Sequence, residues 1–281
     1  MRTNLLRTAK TDGLQTNPIR RWALDKYSLV SLYAELFSTG MKDKWPTRVY
    51  VDLCAGSGFS QIEGTESLYW GSPLLALGVP YPFDKYVFCE KDVAYLSALQ
   101  ARVARLFPRA EVKFVEGDCN ERLEEIVSHI PSDRGVVTFC FVDPFDLSIK
   151  FSSARHLASG KMDFLFLLAL HMDAGRNAAH YASQENKKID EFLDLPTWRD
   201  QWRKAEAKGI AFPRFLAEQF SDRMASIGYL RMPFHLMKQI RSDGNCPLYH
   251  LALFSKHQRA LDFWKQVLKY STDQTSFEYD K

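Results

Sequence analysis

Five short apolar runs, separated by segments of helical character, constrain the fold of this chain more than any other feature. The runs cover residues 48–54, 86–90, 111–116, 136–142 and 163–170. The last two are apolar at nearly every position, which is typical of parallel strands buried on both faces. Strands that alternate with helices at this spacing predict a doubly wound parallel α/β sheet.

The segments around these runs carry signals for helix boundaries. Asp92 is placed to cap a helix that stops at Pro108, and Asn120 to cap one that reaches Ile130. Residues 17–18, Asn-Pro, predict the start of an N-terminal helix that ends at residue 40, a glycine. Its apolar face comprises Ile19, Trp22, Val30, Tyr33 and Phe37. We expect the chain before about residue 16 to be mobile.

The C-terminal part of the chain predicts a hairpin. Residues 229–240 and 248–254 are apolar runs joined by a turn that contains Asp243-Gly244, a strong hairpin signal. Pro233 cannot donate to a ladder, so the first run is expected at the sheet edge. The second is expected inside the sheet, beside the fifth parallel strand. Seven strands, five parallel and two in a closing antiparallel hairpin, are the arrangement of class I methyltransferases, whereas a nicotinamide-binding sheet would end with parallel strands.

A chain of 281 residues suits one α/β domain with additions better than two full domains. We expect a single methyltransferase-like domain over residues 1–281. Within it we distinguish an N-terminal tail and helical extension (1–45), a cofactor-binding half (48–172), a helical cap with a crossover (173–228) and the closing hairpin (229–256).

Composition points to an ordinary globular protein. Apolar residues make up 46% and charged residues 25%. No apolar run approaches the roughly 20 residues needed to span a bilayer, and no secretory signal is visible, so we expect no membrane association and a cytoplasmic location. The five cysteines form no CxxC pair, which predicts reduced residues and no metal site. They are Cys54, Cys89, Cys119, Cys140 and Cys246.

The formal net charge of +3 is too small to indicate a partner, but the first fifty residues are basic. Nine lysines and arginines face four acids there: Arg2, Arg7, Lys10, Arg20, Arg21, Lys26, Lys42, Lys44 and Arg48. Such a stretch could contact the phosphates of a nucleic acid. A solvated tail and helix face is the interpretation we favour.

A glycine-rich loop follows the first strand. Residues 52–58 read Asp-Leu-Cys-Ala-Gly-Ser-Gly, and open parallel sheets bind ligands at this strand end. Gln61 stands where a dinucleotide fingerprint would carry a third glycine or alanine, which counts against NAD. We therefore predict a loop for S-adenosylmethionine that includes Asp52, Ala55, Gly56 and Gly58. A plain tight turn is the alternative.

Acidic residues also end the next two strands. Glu90 follows Phe-Cys, and Asp118-Cys119 follows a glycine. A carboxylate at the end of the second strand can accept hydrogen bonds from both ribose hydroxyls. We predict that Glu90 binds the ribose and Asp118 the adenine amino group, with Cys119 beside them. Each acid taken alone could be a helix cap or a solvated residue.

Asp143-Pro144-Phe145 ends the fourth strand, where transferases place the group that meets the acceptor. This segment is similar to the Asp-Pro-Pro-Tyr signature of adenine amino methyltransferases, with Phe145 in place of the second proline and Asp146 in place of the aromatic residue, so that Phe145 sits one place early. The similarity implies that Asp143 and Pro144 orient an acceptor amine and that Phe145 stacks on the base. A nucleic-acid base is the acceptor we favour, and a protein or small molecule remains open. An ordinary Asp-Pro turn is nearly as good an interpretation.

His171 lies just past the fifth strand, with Arg176 and Asn177 soon after. All three would overhang the same edge of the sheet. His171 could act as a base, although a structural histidine is more common at such a position.

Taken together, the motifs resemble those of the three-Cys-motif partner proteins. The resemblance covers nearly the whole chain and is most specific in the long loop followed by Gly71-Ser72-Pro73. Its other parts are residues 51–58, 88–90, 117–120, 142–145 and 247–254. It implies a bacterial, methyltransferase-like protein with a radical S-adenosylmethionine-type protein as partner. A non-catalytic or nucleotide-binding partner subunit is therefore the alternative function.

Overall fold

The structure, a computed structural model, describes residues 6–171 and 178–278, with side chains described up to residue 269. In chain order the first half contains β1 (Thr8–Ala9), β2 (Asn17–Ile19), α1 (Ala23–Met41), β3 (Thr47–Asp52), β4 (Phe59–Ile62), β5 (Leu68–Trp70), α2 (Ser72–Leu77), β6 (Lys85–Glu90), α3 (Val93–Leu106), β7 (Val112–Glu116), α4 (Leu123–Ser128) and β8 (Val136–Val142). The second half contains α5 (Phe151–Leu157), β9 (Met162–Leu168), α6 (Ala178–Ala182), α7 (Lys188–Leu193), α8 (Trp198–Glu206), α9 (Phe212–Ser226), a 3-10 helix (Phe234–Leu236), β10 (Lys238–Arg241), β11 (Pro247–Phe254) and α10 (Gln258–Glu278).

The main sheet has seven strands in the order β10-β11-β9-β8-β3-β6-β7. The five strands from β9 to β7 are parallel, while β11 runs antiparallel to both β9 and β10. The predicted sheet, including the insertion of the last strand beside the fifth parallel strand, is confirmed. The strand order reverses at β3, so the ligand crevice of such a sheet lies above the carboxyl ends of β3, β6 and β8.

Helices cover both faces of the sheet, which explains why β8 is buried at all seven positions. On one face, Tyr33 and Phe37 of α1 pack on Phe139 with ring centroids 5.0 and 5.6 Å apart. On the other face, Phe220 of α9 packs on Phe166 of β9 at 5.1 Å. This layering places α1 directly against the strands whose ends form the candidate site.

The predicted strand over residues 229–240 is wrong in its first three quarters, residues 229–237. Only Lys238–Arg241 pairs with β11, and it forms the sheet edge as expected. Pro233 lies outside the ladder and precedes the 3-10 helix, whose turn is closed by Leu236 N donating to Pro233 O at 2.9 Å. Tyr229, Met232 and Met237 are buried here without strand pairing. Backbone N–H groups of the segment donate instead to Ser255 O and Ser221 Oγ and within the 3-10 turn.

The N-terminal region also differs from the prediction. Residues 6–16 are packed on the molecule, and Asn17-Pro18 belong to a strand that pairs in parallel with β4, so they do not start α1. This strand is part of a small sheet of order β1-β5-β4-β2. Its strands are two to four residues long, too short for a two-residue periodicity to be visible in the sequence. The helix itself begins at Ala23 and ends at Met41, one residue past Gly40.

Asn120 does not cap a helix, since α4 begins at Leu123. Its amide donates to Ser148 O at 3.1 Å and accepts from Lys150 N at 3.0 Å. The side chain therefore ties the loop after β7 to the loop after β8.

The helices between residues 178 and 226 share an aromatic core. Phe192 of α7 stacks on Phe220 at 4.8 Å, and Trp202 of α8 packs on Phe212 of α9 at 4.7 Å. Trp198 is fully buried. These aromatic rings therefore form a core between the helices. Within the residues that the structure describes, no helix combines the length and hydrophobicity needed to span a bilayer.

Candidate cofactor and acceptor sites

The glycine-rich loop lies at the carboxyl end of β3, and its two glycines are required by conformation and by space. Gly56 has φ +63° and Gly58 φ +84°, both left-handed. A Cβ on Gly56 would come within 2.7 Å of Asn17 Oδ1, and one on Gly58 within 2.8 Å of Leu99 Cδ1. The backbone of this loop is therefore held in one close-packed conformation.

Glu90 ends β6 beneath this loop and is largely buried. Its Oε2 accepts a hydrogen bond from Gly56 N at 2.7 Å, and its Oε1 accepts one from Asp92 N at 2.9 Å. The carboxylate is thus fixed between the glycine loop and the start of α3. Ala55 is buried beside it and donates its N–H to Cys89 O at 2.9 Å.

Asp52 is fully buried at the end of β3. Tyr50 Oη donates to its Oδ2 at 3.1 Å, and Cys54 N donates to its Oδ1 at 3.3 Å. Burial raises the pKa of Asp52 to about 7, although the hydroxyl of Ser72 acts in the opposite direction. Asp52 therefore changes its charge near neutral pH.

Asp118 follows β7 and is exposed, and Cys119 beside it is buried. Asp118 Oδ1 accepts from Asn120 N at 2.8 Å and from Asn120 Nδ2 at 2.9 Å. Because β3, β6 and β7 are neighbours in the sheet, the structure brings Asp52, Glu90 and Asp118 to one edge. This is the convergence that the sequence predicts.

An N-terminal strap, defined here as residues 12–17, covers the glycine loop, and the sequence did not predict it. Asn17 Oδ1 accepts a hydrogen bond from Ser57 N at 2.6 Å. Arg102 of α3 is fully buried and donates to Ser57 O at 2.7 Å and to Gln15 O at 2.8 Å. One arginine therefore binds the loop and the strap together.

Arg102 also forms a buried ion pair with Asp12, at 2.8 Å between Nη2 and Oδ1 and 3.0 Å between Nε and Oδ2. The Arg102 guanidinium holds the pKa of Asp12 well below its usual value, although burial opposes this shift. No sequence pattern could indicate this contact, because 90 residues separate the partners.

Asp143 ends β8, and Lys26 of α1 reaches it across the site. The distance between Lys26 Nζ and Asp143 Oδ2 is 2.5 Å, and the two side chains are only 9% and 15% exposed. Burial is the largest single effect and lowers the pKa of Lys26, but the adjacent Asp143 carboxylate together with Tyr27 and Tyr249 outweighs it, so the net shift is upward. Lys26 was interpreted as part of a solvated helix face, which is wrong. It lies four residues from both Trp22 and Val30, on the apolar face.

Other residues of the basic N-terminal stretch also form ion pairs or hydrogen bonds within the protein. Arg48 forms an ion pair with Asp84 at 3.0 Å, and Arg7 donates to Gly78 O at 2.6 Å. Arg20 and Arg21 are exposed, Arg20 at 3.4 Å from Glu63. The stretch is therefore not one continuous basic surface.

Aromatic side chains adjoin the Lys26–Asp143 pair. Trp22 packs on Tyr249 of β11 with ring centroids 5.2 Å apart, and Lys26 Nζ lies 4.8 Å from the centroid of the Tyr27 ring. Burial, with Asp143 adding to the effect, raises the pKa of Tyr249 to about 12. Together these residues form an aromatic wall beside Asp143.

The other residues predicted to lie near the acceptor are not gathered around Asp143. Pro144 is buried, whereas Phe145 is 84% exposed. Asp146 turns away to pair with Lys188 at 2.7 Å. His171 stacks on His250 at 5.3 Å, and burial lowers its pKa. Arg176 and Asn177 lie outside the described residues.

Among the described residues, no group of three or more His, Cys, Asp or Glu side chains is arranged to hold a metal ion. Cys89 and Cys140 are fully buried in the sheet. The site is thus built from carboxylates, one lysine, aromatic rings and backbone N–H groups.

The fold is that of the class I S-adenosylmethionine-dependent methyltransferases, as the order and direction of the seven strands show. No family model matches the sequence, and no curated protein is similar to it.

Several solved structures are similar. One is the O-methyltransferase TomG from Streptomyces achromogenes in complex with S-adenosylmethionine, at 13% identity over 80% of this chain and 79% of that chain, with a TM-score of 0.42. Another is Trm1 from Pyrococcus horikoshii with S-adenosyl-L-methionine, at 9% identity over 91% and 60%, with a TM-score of 0.49. A third is an O-methyltransferase from Bacillus cereus with S-adenosylhomocysteine, at 12% identity over 79% and 80%, with a TM-score of 0.44. These likenesses concern the fold alone.

Proposed function

We propose that this chain is an S-adenosylmethionine-dependent methyltransferase whose acceptor is an amino group on a nucleic-acid base. The observation that carries the proposal is the convergence of Asp52, Glu90 and Asp118 around a left-handed glycine loop at adjacent strand ends. Carboxylates at these positions match the hydrogen-bond donors of an adenosine joined to an amino acid.

The residues fit this cofactor in a specific pose. Gly56 and Gly58 would admit the methionine part, and Asp52 would attract its amino group. Glu90 would accept hydrogen bonds from the ribose hydroxyls, and Asp118 would accept one from the adenine amino group. Bound there, S-adenosylmethionine supplies a methyl group on a positively charged sulfur, and the protein mainly positions the acceptor in line with it.

On the acceptor side, Asp143 and Lys26 act as one unit. Lys26 Nζ donates to Oδ2 of Asp143 and holds the carboxylate in place. We assign the other oxygen, Oδ1, to the acceptor amine, where a hydrogen bond directs the nitrogen lone pair toward the methyl group. The proton that the amine loses after transfer leaves to solvent.

A base as acceptor is supported by the surroundings of Asp143. The half-buried ring of Trp22 and the exposed ring of Phe145 offer surfaces for stacking. Arg20 and Arg21 are exposed immediately before Trp22, where backbone phosphates could be bound. A base within a duplex would have to be flipped out, so single strands are the preferred substrate.

One observation favours the alternative, a non-catalytic or nucleotide-binding partner subunit. Lys26 already occupies one oxygen of Asp143, so the pair can also be a structural ion pair. The resemblance to the three-Cys-motif partner proteins adds a radical S-adenosylmethionine-type protein as its partner. Cofactor binding without methyl transfer to any acceptor would favour this function.

Replacing Glu90 by alanine is expected to weaken the binding of S-adenosylhomocysteine by about 1–3 kcal/mol, because the ribose hydroxyls lose their acceptor. Calorimetry measures this, with Glu206→Ala as control, since Glu206 is exposed at the end of α8. Unchanged affinity in Glu90→Ala would contradict the pose. Tighter binding of NAD than of S-adenosylhomocysteine would contradict the class of cofactor.

Cofactor binding is also expected to depend on pH through Asp52. An ammonium group near Asp52 is attracted only by the ionised carboxylate, whose pKa is about 7. The affinity for S-adenosylhomocysteine should therefore rise between pH 6 and pH 8, as Asp52 loses its proton. In Asp52→Asn this rise should disappear. The same pH dependence in both proteins would remove Asp52 from the site.

A further inference from the structure

A cavity of about 300 Å³ lies where the parallel strands of the main sheet begin, at the opposite end of the strands from the cofactor and acceptor sites. Val137 near the start of β8 and Met162 at the start of β9 line it, together with the end of α1 and the first turn of α10. The amino ends of parallel strands face away from their carboxyl ends. The cavity is therefore separate from the residues discussed so far.

The interior of this cavity is apolar, while its polar lining is strongly positive. The side chains of Phe37, Met41, Trp45, Val137 and Met162 form the apolar walls. Four cations, Lys44, Lys161, Lys256 and Arg259, line it with one carboxylate, Asp163. Counting these five side chains gives a formal charge of four minus one, or +3.

The carboxylate does not cancel this charge at the mouth. Tyr33 Oη donates to Asp163 Oδ2 at 3.4 Å, and burial raises the pKa of Asp163 to about 6, against the effects of Ser255, Tyr33 and Lys256. Lys256 Nζ is itself held by Ala158 O at 2.8 Å. Asp163 and Lys256 influence each other electrostatically, and we call the other three cations of the lining, Lys44, Lys161 and Arg259, the outer cations.

These outer cations differ in their contacts. Lys161 Nζ lies 4.3 Å from the centroid of the Trp45 ring and donates to Arg134 O at 3.1 Å. Lys44 and Arg259 are exposed, and neither makes an ion pair with any described residue. Arg259 lies in the first turn of the 21-residue helix α10, whose positive N-terminal end faces the cavity. The mouth therefore offers two side-chain cations and a helix N-terminus to one anion.

We propose that this cavity binds a small amphiphilic anion, with an apolar body in the cavity and one carboxylate, sulfate or phosphate group between Lys44, Arg259 and the start of α10. A water molecule takes about 30 Å³ of liquid volume, so the cavity suits a body of roughly ten non-hydrogen atoms. The mouth is positively charged and the walls are apolar. Together they favour an anionic chain or ring over a neutral or cationic one.

Octanoate is the probe of matching size, and octylammonium and octanol are its cationic and neutral counterparts. In calorimetric titrations of the full chain, octanoate should bind at least about ten-fold more tightly than octylammonium, because the mouth attracts only the anion. Its affinity should fall as salt rises from 0.05 to 0.5 M. Equal binding of the three compounds, or no binding of octanoate, overturns the proposal.

Variants locate the binding. Arg259→Gln and Lys44→Gln should each weaken octanoate binding by about two- to five-fold, the range of exposed charge pairs. Lys113→Gln, an exposed lysine on β7, is the matched control and should leave it unchanged. Ala260→Leu places a larger side chain against the cavity and should abolish binding. Unchanged binding of octanoate in the three cavity variants overturns the assignment. Unchanged S-adenosylhomocysteine affinity and thermal midpoint in Arg259→Gln and Lys44→Gln verify that the fold is intact.

Discussion

Replacing Asp143 by asparagine is expected to lower methyl transfer to single-stranded nucleic acid by at least about a hundred-fold, the cost of losing the orientation of a reacting group. Binding of S-adenosylhomocysteine should stay within about two-fold at pH 8, where Asp52 is ionised whether or not the Asp143 charge is present to raise its pKa. Transfer of a labelled methyl group measures the first quantity and calorimetry the second. Single strands should be better substrates than duplexes of the same sequence.

This replacement also leaves Lys26 as an unpaired charge in a site where both side chains are mostly buried. Breaking such a pair from one side costs about 3–5 kcal/mol of unfolding free energy, whereas replacing both partners by apolar residues is often neutral. The double variant Lys26→Met/Asp143→Leu should therefore regain thermal stability without regaining methyl transfer. Recovered thermal stability without recovered methyl transfer would show that Asp143 acts in the reaction and not only in the fold.

Asp146→Asn is the matched control, since Asp146 lies in the same turn and pairs with Lys188 at 2.7 Å, with side chains 37% and 28% exposed. Its loss should change stability by less than about 1 kcal/mol, as for other partly exposed pairs, and leave transfer unaffected. Should the double variant of Lys26 and Asp143 keep its activity, Asp143 would be a structural residue. The partner-subunit function would then be the better account.

The sequence predicts the main sheet well because its strands are distinct as apolar runs. Residues 136–142 and 163–170 show their burial directly in composition, and the turn at Asp243-Gly244 fixes the hairpin. The same runs show where each strand ends, and an acid stands at or just after three of these ends. The sequence alone therefore predicts that Asp52, Glu90 and Asp118 lie together. Strand order then determines that these ends are neighbours.

The N-terminal strap and the small sheet depend on contacts between residues far apart in the chain, and no local sequence pattern predicts these. The N-terminal strap is held by Arg102, which in the sequence is an ordinary helical arginine, and the small sheet uses strands that are too short to show periodicity. Lys26 is a different case, since its spacing from Trp22 and Val30 places it on the buried face of α1. A lysine at a buried helical position indicates a carboxylate partner, so the sequence contains enough to predict that Lys26 is paired.

Replacing Arg102 by methionine is expected to have the largest effect on the cofactor site. The guanidinium is fully buried and binds Ser57 O, Gln15 O and both oxygens of Asp12. Its loss leaves Asp12 without its buried partner, which costs about 3–5 kcal/mol. The strap should detach from the glycine loop, and the affinity for S-adenosylhomocysteine should fall by more than about ten-fold, since 1.4 kcal/mol corresponds to that factor.

Arg105 provides a matched control on the same helix. It also binds Asp12, at 2.7 Å, but its side chain is 51% exposed. Arg105→Met should therefore change stability and affinity little, by less than about 1 kcal/mol. Hydrogen exchange of residues 12–17 distinguishes local detachment of the strap from general unfolding, because only detachment leaves the strands of the main sheet protected. Equal effects of the two arginine variants would contradict the proposed role of Arg102.

The same contact predicts how stability depends on pH. The pKa of Asp12 is lower in the folded protein than in the unfolded chain, where it is near 4. The folded state therefore binds the proton less well, and the stabilisation by Asp12 is complete above about pH 4 and is lost as pH falls toward the folded pKa. In the double variant Asp12→Leu/Arg102→Met, the unfolding free energy should decrease less between pH 5 and pH 3 than in the unchanged protein. Parallel pH profiles for the two proteins would show that Asp12 is not ionised against Arg102, and the strap would then need another explanation for its position on the loop.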